Sequence, residues 1–410
     1  MTYAAALRFL YSRSLFGIKM GLANMRALAA AFDHPERLLR FIHIAGTNGK
    51  GSTAAMLESI YRYAGYRVGL YTSPHLLTFR ERIQVNRQLI PCSSVAKHTA
   101  KIAQALYHTG SAATFFEVVT LLALLHFREK KCQLIIWETG MGGRLDATNI
   151  VTPLTSVITH IDFDHQAWLG NTLEKIAFEK AGIIKATIPV VTAVQSGPAL
   201  EVIRRVATAK HAPLTHVAAK PPERAKLNLP GRHQLANAAC AQATVAVLAS
   251  KFPVSNASLK RGLSQVYWPG RLQWISHGKN RRTLLDGAHN PSGARALADF
   301  LSGQRFTLIL GILQDKNISA ICEILAPRAS EIHVVPVKNP RTAAPEELAR
   351  LCAKYNPPIH SHKSLEEALR ATRYCPVRVV TGSLYLIAEA LSLLLPRARK
   401  QTGKEPALKV

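Results

Sequence analysis

The stretch HIAGTNGKGSTAAMLESI, residues 43–60, runs from a short apolar segment through a glycine loop into a helical pattern. Glycines let backbone N–H groups approach phosphate oxygens, and the positive end of the following helix favours negative charge. Lys50 is placed to neutralise phosphate charge, and Ser52 is placed to coordinate Mg²⁺. Gly51 separates the lysine from the serine, which are adjacent in the standard phosphate-binding loop. The stretch therefore predicts a nucleotide site, and its spacing leaves the reaction open.

Strand-like and helical patterns alternate along the chain on both sides of this loop. We expect strands at 41–46, 66–76, 131–143, 154–165 and 188–194. We expect helices at 4–31 (with breaks at glycines), 53–63, 93–108, 116–130, 172–184 and 233–250. Strands that alternate with helices predict a parallel sheet with right-handed crossovers.

The pattern restarts after the polar stretch HGKNRR, residues 277–282. Four further strand-like runs follow, in TLLDGAHN, FTLILG, EIHVVPV and VRVVTG, with helical segments between them. A chain of 410 residues with 48% apolar content is long enough to bury two cores. We predict an α/β fold: a phosphate-loop ATPase domain with a parallel sheet at 1–278, and a smaller Rossmann-like α/β domain at 279–410.

The composition limits the partners and the compartment. A net charge of +27, from 52 Lys+Arg against 25 Asp+Glu, attracts anions. Basic runs with interleaved aromatic residues are missing, so we expect no nucleic-acid partner. No apolar run reaches the ~18 residues of a membrane span, so we expect no membrane association. Six widely spaced cysteines without a CxxC pair indicate free thiols in a reducing compartment, and we predict a cytoplasmic protein.

Polar side chains at the ends of two other predicted strands are candidates for metal binding. Glu138 ends the apolar strand in WETGMGGRLDATN, and Asp162, Asp164 and His165 follow the strand in THIDFDH. Ligands collect at the carboxyl edge of parallel sheets, and Mg²⁺ prefers oxygen ligands. Glu138 is a direct candidate, whereas chemistry alone leaves His165 level with the two aspartates.

Two further features carry possible chemistry. Lys180 lies in a helical pattern, FEKAGIIK (178–185), where an isolated lysine is usually a surface residue. In the second half, DGAHNP (286–291) places Asp286 and His289 in a turn directly after a predicted strand. Such a turn is a position where ligands bind in α/β folds.

Taken together, the motifs resemble one family. GTNGKGS, TSPHL, TFFE, WETGMGGRLDATN, PGRHQLANAACA and DGAHNP stand in the order found in the folylpolyglutamate synthase/dihydrofolate synthase family, a branch of the ATP-dependent Mur ligases. The resemblance spans about residues 5–392, and it includes the unusual Lys-Gly-Ser spacing. The basic N-terminus could pass for a targeting peptide, but LFGIKMGLANMRAL resembles the family's substrate-side segment. Gln314, where an alanine-like residue is common, is a departure that makes substrate contacts in the second domain less certain.

The resemblance implies roles for residues that match the family's motifs. It implies a Mur-ligase-type ATPase domain, a glutamate ligase domain, and two Mg²⁺ ions held with the help of Ser52, Glu138 and His165. Lys180 matches a carbamylated lysine, and Lys50, Lys180 and His289 are the implied catalytic residues. The implied ATP contacts are Gly46, Thr47, Asn48, Gly49, Lys50, Gly51, Ser52, Thr53, Asn237, Arg271 and Asp286. The implied substrate contacts are Thr114, Phe115, Phe116, Glu117, Leu145, Asp146 and Ala147 around a pterin, and Ser383 near the entry of glutamate.

The activity that this resemblance implies is an ATP-dependent joining of L-glutamate to dihydropteroate, to the γ-carboxylate of folates, or to both, by a monomeric enzyme. We favour the bifunctional enzyme. The alternatives are a monofunctional folylpolyglutamate synthase, a Mur-type ligase of cell-wall synthesis, a nucleic-acid-stimulated ATPase and an inactive binding protein. TFFE and GRLDATN disfavour the cell-wall ligase, and the set Lys50, Ser52, Glu138, His165 and Lys180 disfavours the inactive protein.

Overall fold

The computed structural model describes residues 1–17, 19–217, 227–278, 280–355 and 357–395. The chain divides into two compact units. The first unit comprises Met1–His75, Phe79–Asn228 and Gln234–Tyr267, and the second comprises Leu76–Thr78, Leu229–His233 and Trp268–Val410. Both are α/β units, so the predicted fold class is confirmed.

An eight-stranded sheet organises the described part of the first unit. Its strands are β1 Phe41–Ala45, β2 Val68–Tyr71, β3 Ile83–Val85, β4 Gln88–Leu89, β5 Leu134–Glu138, β6 Thr155–Ile158, β7 Val190–Thr192 and β8 Leu214–His216. They lie in the order β4-β3-β2-β5-β1-β6-β7-β8. All neighbours from β2 to β8 pair in parallel, and β3 and β4 add an antiparallel hairpin at the β2 side.

Helices follow most of these strands. The α-helices up to residue 267 are α1 Tyr3–Ser12, α2 Ala23–Ala30, α3 Lys50–Tyr63, α4 Cys92–Thr109, α5 Phe115–Glu129, α6 Gln166–Leu169, α7 Leu173–Ala181, α8 Pro198–Ala209, α9 His233–Val247 and α10 Asn256–Ser264. Gly17 and Gly21 have φ of 63° and 142°, which L side chains rarely adopt, and they separate α1 from α2 within the predicted 4–31 helix. Helix α3 begins at Lys50 rather than at the predicted Thr53, because the loop turns into the helix directly after Gly49.

Two apolar cores hold the sheet. Phe41, Ile135 and Trp137 share a fully buried cluster with residues of α1, α4 and α5. Ala45 and Ile158 belong to a second cluster with residues of α7 and α8. All five residues of β1 are buried, which explains why four of them are apolar and do not alternate with exposed polar residues; the fifth, His43, contacts the Thr148 hydroxyl.

The second unit has a six-stranded sheet within its described residues. Its strands are β9 Gln273–Ser276, β10 Arg282–Leu285, β11 Thr307–Leu310, β12 Glu331–Val334, β13 Ile359–Ser361 and β14 Val377–Thr381. Its α-helices are α11 Pro291–Phe300, α12 Ile318–Leu325, α13 Pro345–Cys352, α14 Leu365–Ala371 and α15 Leu384–Leu394. The strands lie in the order β13-β12-β11-β14-β10-β9, and only β9 pairs antiparallel, with β10.

The division between the units differs from the boundary expected near residue 278. The second unit resumes at Trp268, because β9 pairs with β10 and so joins the second sheet instead of the first. Lys279, next to the expected boundary, lies outside the described residues. Strands β3, β4, β8, β9 and β13 were not predicted. All five lie at or next to an edge of their sheet, and they lack the fully buried apolar run of the central strands. None of the described helices is long and apolar enough to cross a membrane.

Candidate active site

The carboxyl ends of β2, β5, β1 and β6 lie side by side in the first unit, since these four strands are consecutive neighbours in the sheet. Ile44 of β1 is level with Glu138 of β5, and Ala45 is level with Ile158 of β6. The glycine loop, Glu138 and the segment that ends in His165 therefore all leave the sheet at one edge. This is the edge where ligands bind in parallel sheets, as expected from the sequence.

Two glycines shape the phosphate-loop backbone. Gly49 has φ of 88°, and a Cβ placed there would lie 2.3 Å from Asn237 Oδ1. Gly46 has φ of 153°, and a Cβ there would lie 1.9 Å from Thr159 Oγ1. Both positions therefore require glycine. Lys50 donates from Nζ to the carbonyl oxygens of Gly46 at 2.9 Å and Thr47 at 3.3 Å, so its charge is held over the loop.

The segment that follows β6 forms several hydrogen bonds with the phosphate loop. Thr47 donates its backbone N–H to the His160 carbonyl at 2.8 Å. The Thr47 hydroxyl donates to the Asp162 carbonyl at 2.9 Å and accepts from the Asp162 N–H at 3.1 Å. Thr159 Oγ1 donates to the Asn48 carbonyl at 2.8 Å. The loop and the segment that carries the metal candidates thus form one hydrogen-bonded unit.

Lys180 is buried at the same loop. Its side chain is 4% exposed, and Nζ donates to the Gly46 carbonyl at 2.9 Å, the same oxygen that Lys50 contacts. Burial, followed by the charge of Lys50, lowers the pKa of Lys180 to about 7. A lysine buried beside another lysine holds its neutral amine form near neutral pH, and only that form is nucleophilic. Lys180 is therefore not the surface residue that a lysine in a helical pattern usually is.

The lowered pKa of Lys180 makes the free energy of unfolding depend on pH. Between about pH 7 and the ordinary lysine value of 10.5, the unfolded chain binds a proton that the folded amine does not. Stability should therefore rise with pH across this window, by up to about 1.4 kcal/mol per pH unit. Urea unfolding of the protein and of Lys180→Met in bicarbonate-free buffer, at several pH values from 7 to 10, measures the difference in slope. Parallel pH profiles would show that the amine is not held neutral.

A glutamine that the sequence analysis missed supports Ser52. Gln234 Nε2 donates to Ser52 Oγ at 3.3 Å, and Gln234 Oε1 accepts from Asn237 Nδ2 at 2.9 Å. Gln234 and Asn237 lie one helical turn apart on α9, and both are buried. The stretch HQLANAACA carries both residues. Asn237 was a predicted ATP contact, whereas only its position against the phosphate loop distinguishes Gln234 from an ordinary polar residue of a helix.

The metal candidates have different surroundings. Glu138 is buried, and its Oε2 accepts from the Ser73 N–H at 3.0 Å, which fixes the carboxylate at the sheet edge. Ser52 is buried in the first turn of α3. The His165 side chain is 41% exposed, its φ is 51°, and its Nε2 lies 3.9 Å from Asp164 Oδ1. Ser52 and Glu138 thus offer hard oxygen ligands, whereas His165 offers a nitrogen from an exposed turn.

Thr114 and Glu117 form a helix cap. The Glu117 N–H donates to Thr114 Oγ1 at 3.3 Å, and Glu117 Oε2 accepts from Thr114 N at 2.7 Å and Oγ1 at 2.9 Å. This is a capping box at the start of α5. The capping box could have been predicted, since Thr and Glu in T-F-F-E have the required spacing. In the sequence analysis this motif was assigned only to a substrate pocket.

The aromatic residues between them lie at the same helix end. Phe115 stacks on Tyr11 with ring centroids 5.6 Å apart, and the Arg82 guanidinium lies 5.2 Å from its centroid. Phe116 packs on the backbone of Gly140, where an added Cβ would lie 2.6 Å from the ring. Both phenylalanines are half-buried, so part of each ring is accessible.

Asp146 organises the loop after β5. Its Oδ2 accepts from the Met141 N–H at 2.8 Å, and its Oδ1 accepts from the Thr148 N–H at 3.0 Å and from the Thr148 hydroxyl. Burial raises the pKa of the Asp146 carboxyl despite these bonds. Leu145 is half-buried and Ala147 is buried on either side. The carboxylate thus shapes the loop that carries the predicted pterin contacts.

The second unit holds the other predicted site residues. Asp286 is buried, and its carboxylate accepts from the N–H groups of Leu272 at 2.9 Å and Ala288 at 3.0 Å. Arg271 lies against Gly287, where an added Cβ would lie 2.4 Å from Nη1. His289 Nδ1 contacts the Gly287 carbonyl at 2.8 Å. These residues form one turn cluster at the carboxyl end of β10.

Ser383 has a structural role in the second unit. It precedes α15, and its buried hydroxyl accepts from the Tyr385 N–H at 3.2 Å, which caps the helix. This capping bond accounts for a serine at this position without any ligand.

Two domain families of known proteins match this chain. The Mur ligase middle domain matches residues 44–196, and the glutamate ligase domain of Mur ligases matches residues 270–383. The two matches fall on the phosphate-loop sheet and on the second sheet. The chain therefore has the domain composition of a Mur ligase, as the motifs predicted.

Full-length relatives narrow the class. The dihydrofolate synthase/folylpolyglutamate synthase of Bacillus subtilis is 36% identical over 94% of this chain and 98% of its own length. The structure of the Escherichia coli enzyme with DHPP and ADP is 30% identical, covers 97% of this chain and 100% of its own, and has a TM-score of 0.87. That of the bifunctional Yersinia pestis enzyme with AMPPNP and an Mn ion is 33% identical, covers 96% and 98%, and has a TM-score of 0.84. This chain belongs to the dihydrofolate synthase/folylpolyglutamate synthase family.

Proposed function

We propose that the protein is a bifunctional ligase that uses ATP to join L-glutamate to dihydropteroate and to the γ-carboxylate of folates. The observation that carries this proposal is the pair of lysines on the Gly46 carbonyl, one of them buried. A phosphate loop alone serves many reactions. A buried neutral amine beside the loop is a more specific feature, because it can react with CO₂ to form a negatively charged carbamate. An ATP-dependent carboxylate ligase needs such a metal-binding group near the phosphates.

The residues of the first unit fit a nucleotide with a divalent metal ion. Gly46, Gly49 and Gly51 let backbone N–H groups face phosphate oxygens, and Lys50 supplies positive charge. Ser52 and Glu138 would hold the metal, with His165 as a third ligand. The bound ion supplies charge neutralisation on the transferred phosphoryl group. Structures of relatives with ADP, or with AMPPNP and an Mn ion, support a nucleotide and a divalent ion as ligands.

The chemistry begins with a carboxylate, which is a poor electrophile. The substrate carboxylate attacks the γ-phosphorus of ATP, and ADP leaves with the electron pair of the broken bond. The amine of glutamate then attacks the acyl phosphate, and phosphate leaves. In this scheme Lys50 and the loop N–H groups stabilise the negative charge that develops on the transferred group. No side-chain nucleophile is required.

We assign Lys180 a carbamate. Its neutral amine attacks CO₂ and releases a proton, which converts a cationic group into a carboxylate. That carboxylate would lie beside the Lys50 ammonium, where it would replace a repulsive pair by an attractive one and offer oxygen ligands to a second Mg²⁺. The lowered pKa of Lys180 supports this assignment, because carbamylation consumes only the neutral amine.

We assign the remaining contacts by position. The half-buried rings of Phe115 and Phe116 are suited to stack on a pterin, with Asp146 ordering the adjoining loop. The polar turn with Arg271, Asp286 and His289 is assigned to the nucleotide and to glutamate. The six free cysteines suit a reducing compartment, and we propose a cytoplasmic monomer.

The test is release of ADP by the purified protein with MgATP and L-glutamate. We expect turnover with dihydropteroate and with tetrahydrofolate, and a low rate when either the pterin or glutamate is left out. Mass spectrometry of the products should show one added glutamate per ADP.

Other outcomes favour other functions. Turnover with tetrahydrofolate alone would restrict the enzyme to chain extension. Stimulation by DNA or RNA without glutamate would indicate an ATPase. If neither pterin raises ADP release, the ligase proposal fails at its substrate, and cell-wall precursors become the next substrates to test.

A further inference from the structure

A cluster of histidines lies in the second unit, apart from the turn assigned to the active site. Glu331 and His333 are on β12, His360 is on β13, and His362 follows β13 directly. The strands are parallel neighbours, and His333 is level with His360. Residues two apart on a strand face the same side, so all four side chains project from one face of the sheet. Parallel pairing thus brings together two segments that are 25 or more residues apart in the sequence.

Three of these side chains converge on one point. Glu331 Oε1 lies 3.2 Å from His333 Nε2 and 3.1 Å from His360 Nε2. The three ligand atoms all lie within 4.8 Å of one another. A tetrahedral ion with bonds of about 2.0–2.1 Å to nitrogen and oxygen separates its ligand atoms by roughly 3.3 Å. The spacing of the carboxylate oxygen from both nitrogens therefore already matches a tetrahedral site.

His333 is the buried member of the cluster. It is 3% exposed, and within the described residues no hydrogen bond of acceptable geometry reaches its Nε2, although Glu331 Oε1 is close. Its other nitrogen, Nδ1, lies 2.8 Å from His362 Nε2. With a proton on Nδ1, His333 donates to His362 and directs the Nε2 lone pair at Glu331 and His360. Histidine ligands of metals are held in this way by a second hydrogen bond from the distal nitrogen.

We propose that Glu331, His333 and His360 bind a divalent transition-metal ion, with Zn²⁺ as the best match. Two imidazole nitrogens and one carboxylate oxygen are a zinc donor set, and a water molecule completes the tetrahedron. Mg²⁺ and Ca²⁺ are disfavoured because they prefer oxygen ligands. The ion joins β12 to β13, the edge strand of this sheet, and so stabilises an edge only three residues long.

The alternative is an ionic cluster in which protonated histidines share the carboxylate. The contacts of Glu331 Oε1 with His333 Nε2 and with His360 Nε2 would then be ion pairs. The ionic cluster needs no metal ion, so a metal titration distinguishes it from the proposed metal site.

The experiment uses the full, tag-free chain, freed of metal by a chelator and titrated with Co²⁺ in excess Mg²⁺, which fills oxygen-rich sites. We expect the intense visible absorption of a tetrahedral Co²⁺ site, saturating at one ion per chain and removed by Zn²⁺. His360→Gln should weaken Co²⁺ binding by more than about 100-fold, because it removes a ligand from a half-exposed position that folding tolerates. His362→Gln should weaken it by roughly 10- to 100-fold, because it removes the group that orients His333.

The control is His108→Gln, an exposed helical histidine of the first unit, which should leave the titration unchanged. Zn²⁺ should also raise the Tm of the unmodified protein and not that of His360→Gln. Absence of tetrahedral Co²⁺ absorption in the unmodified protein would overturn the proposal. Equal binding by the unmodified protein and by His360→Gln would also overturn it. Neither result depends on turnover, so the outcome is independent of the proposed ligase activity.

Discussion

Replacing Lys180 with alanine is expected to lower the turnover number of ligation by on the order of 10³-fold, comparable to the loss of a principal transition-state stabiliser. The variant loses the amine that we propose to be carbamylated, and with it the oxygen ligands that we propose for a second metal ion. Folding should persist, because the substitution removes a buried amine that already faces Lys50 on a single carbonyl oxygen. The measurement is ADP release with tetrahydrofolate and glutamate, together with the Tm of both proteins.

The matched control for this prediction is Lys175→Ala, an exposed lysine on the same helix α7, which should retain full turnover. Acetate or propionate, short carboxylates that resemble the end of the proposed carbamate, should restore part of the activity of Lys180→Ala. An unmodified rate in Lys180→Ala would eliminate the carbamate from the mechanism. A loss of turnover that neither carboxylate restores would indicate that turnover requires the unmodified amine of Lys180 and not a carbamate.

Replacing Gly49 with alanine is expected to weaken ATP binding by about 100-fold. The new Cβ would lie 2.3 Å from Asn237 Oδ1, and φ is 88°, so the substitution combines a steric overlap with a strained backbone. Each of these contributes roughly 1–3 kcal/mol, and about 1.4 kcal/mol corresponds to a factor of ten in affinity. Relief of the strain would displace the loop N–H groups that face the phosphates. Calorimetric titration with a non-hydrolysable ATP analogue measures the change.

Gly65→Ala separates the two contributions to this effect. Gly65 follows α3 with φ of 90°, close to the φ of Gly49, but a Cβ there would have no atom within 4 Å among the described residues. It should cost about 1 kcal/mol of stability and leave ATP affinity unchanged. The double variant Gly49→Ala/Asn237→Ala should recover part of the affinity if the overlap dominates. Normal affinity in Gly49→Ala alone would show that the loop does not bind phosphate in this conformation.

The fold was largely predictable because its central strands carry strong local signals. The apolar run at 41–46 and the glycines after it predicted β1, the loop and α3, and the restart after residue 282 predicted the second sheet. The misses are edge strands such as β8 and β13, whose three residues are mostly exposed and show no apolar pattern. The residues of β9 were placed in the first domain, because their pairing with β10 is a tertiary property that no local pattern shows.

The site was predictable in its composition and less so in its contacts. The motifs made Lys50, Ser52 and Glu138 candidates, because residue type, spacing and position after a strand all point to phosphate and metal chemistry. Burial is not visible in a local pattern, so Lys180 looked like a surface residue when judged from its own helix. Gln234 was missed because its contact with Ser52 joins residues far apart in the chain. The role of Thr114 as a helix cap was visible in the sequence and was overlooked in favour of a ligand contact.

The central position of β1 has a consequence for how the protein is made. Strand β1 ends at Ala45, but its two partners, β5 and β6, begin only at Leu134 and Thr155. The next strand to be synthesised, β2, does not pair with β1, because β5 lies between them. About 90 residues must therefore leave the ribosome before β1 gains its first neighbour, which takes roughly 5–20 s at usual rates of synthesis. For that time the nascent chain presents an unpaired apolar strand, the kind of segment that chaperones protect from aggregation.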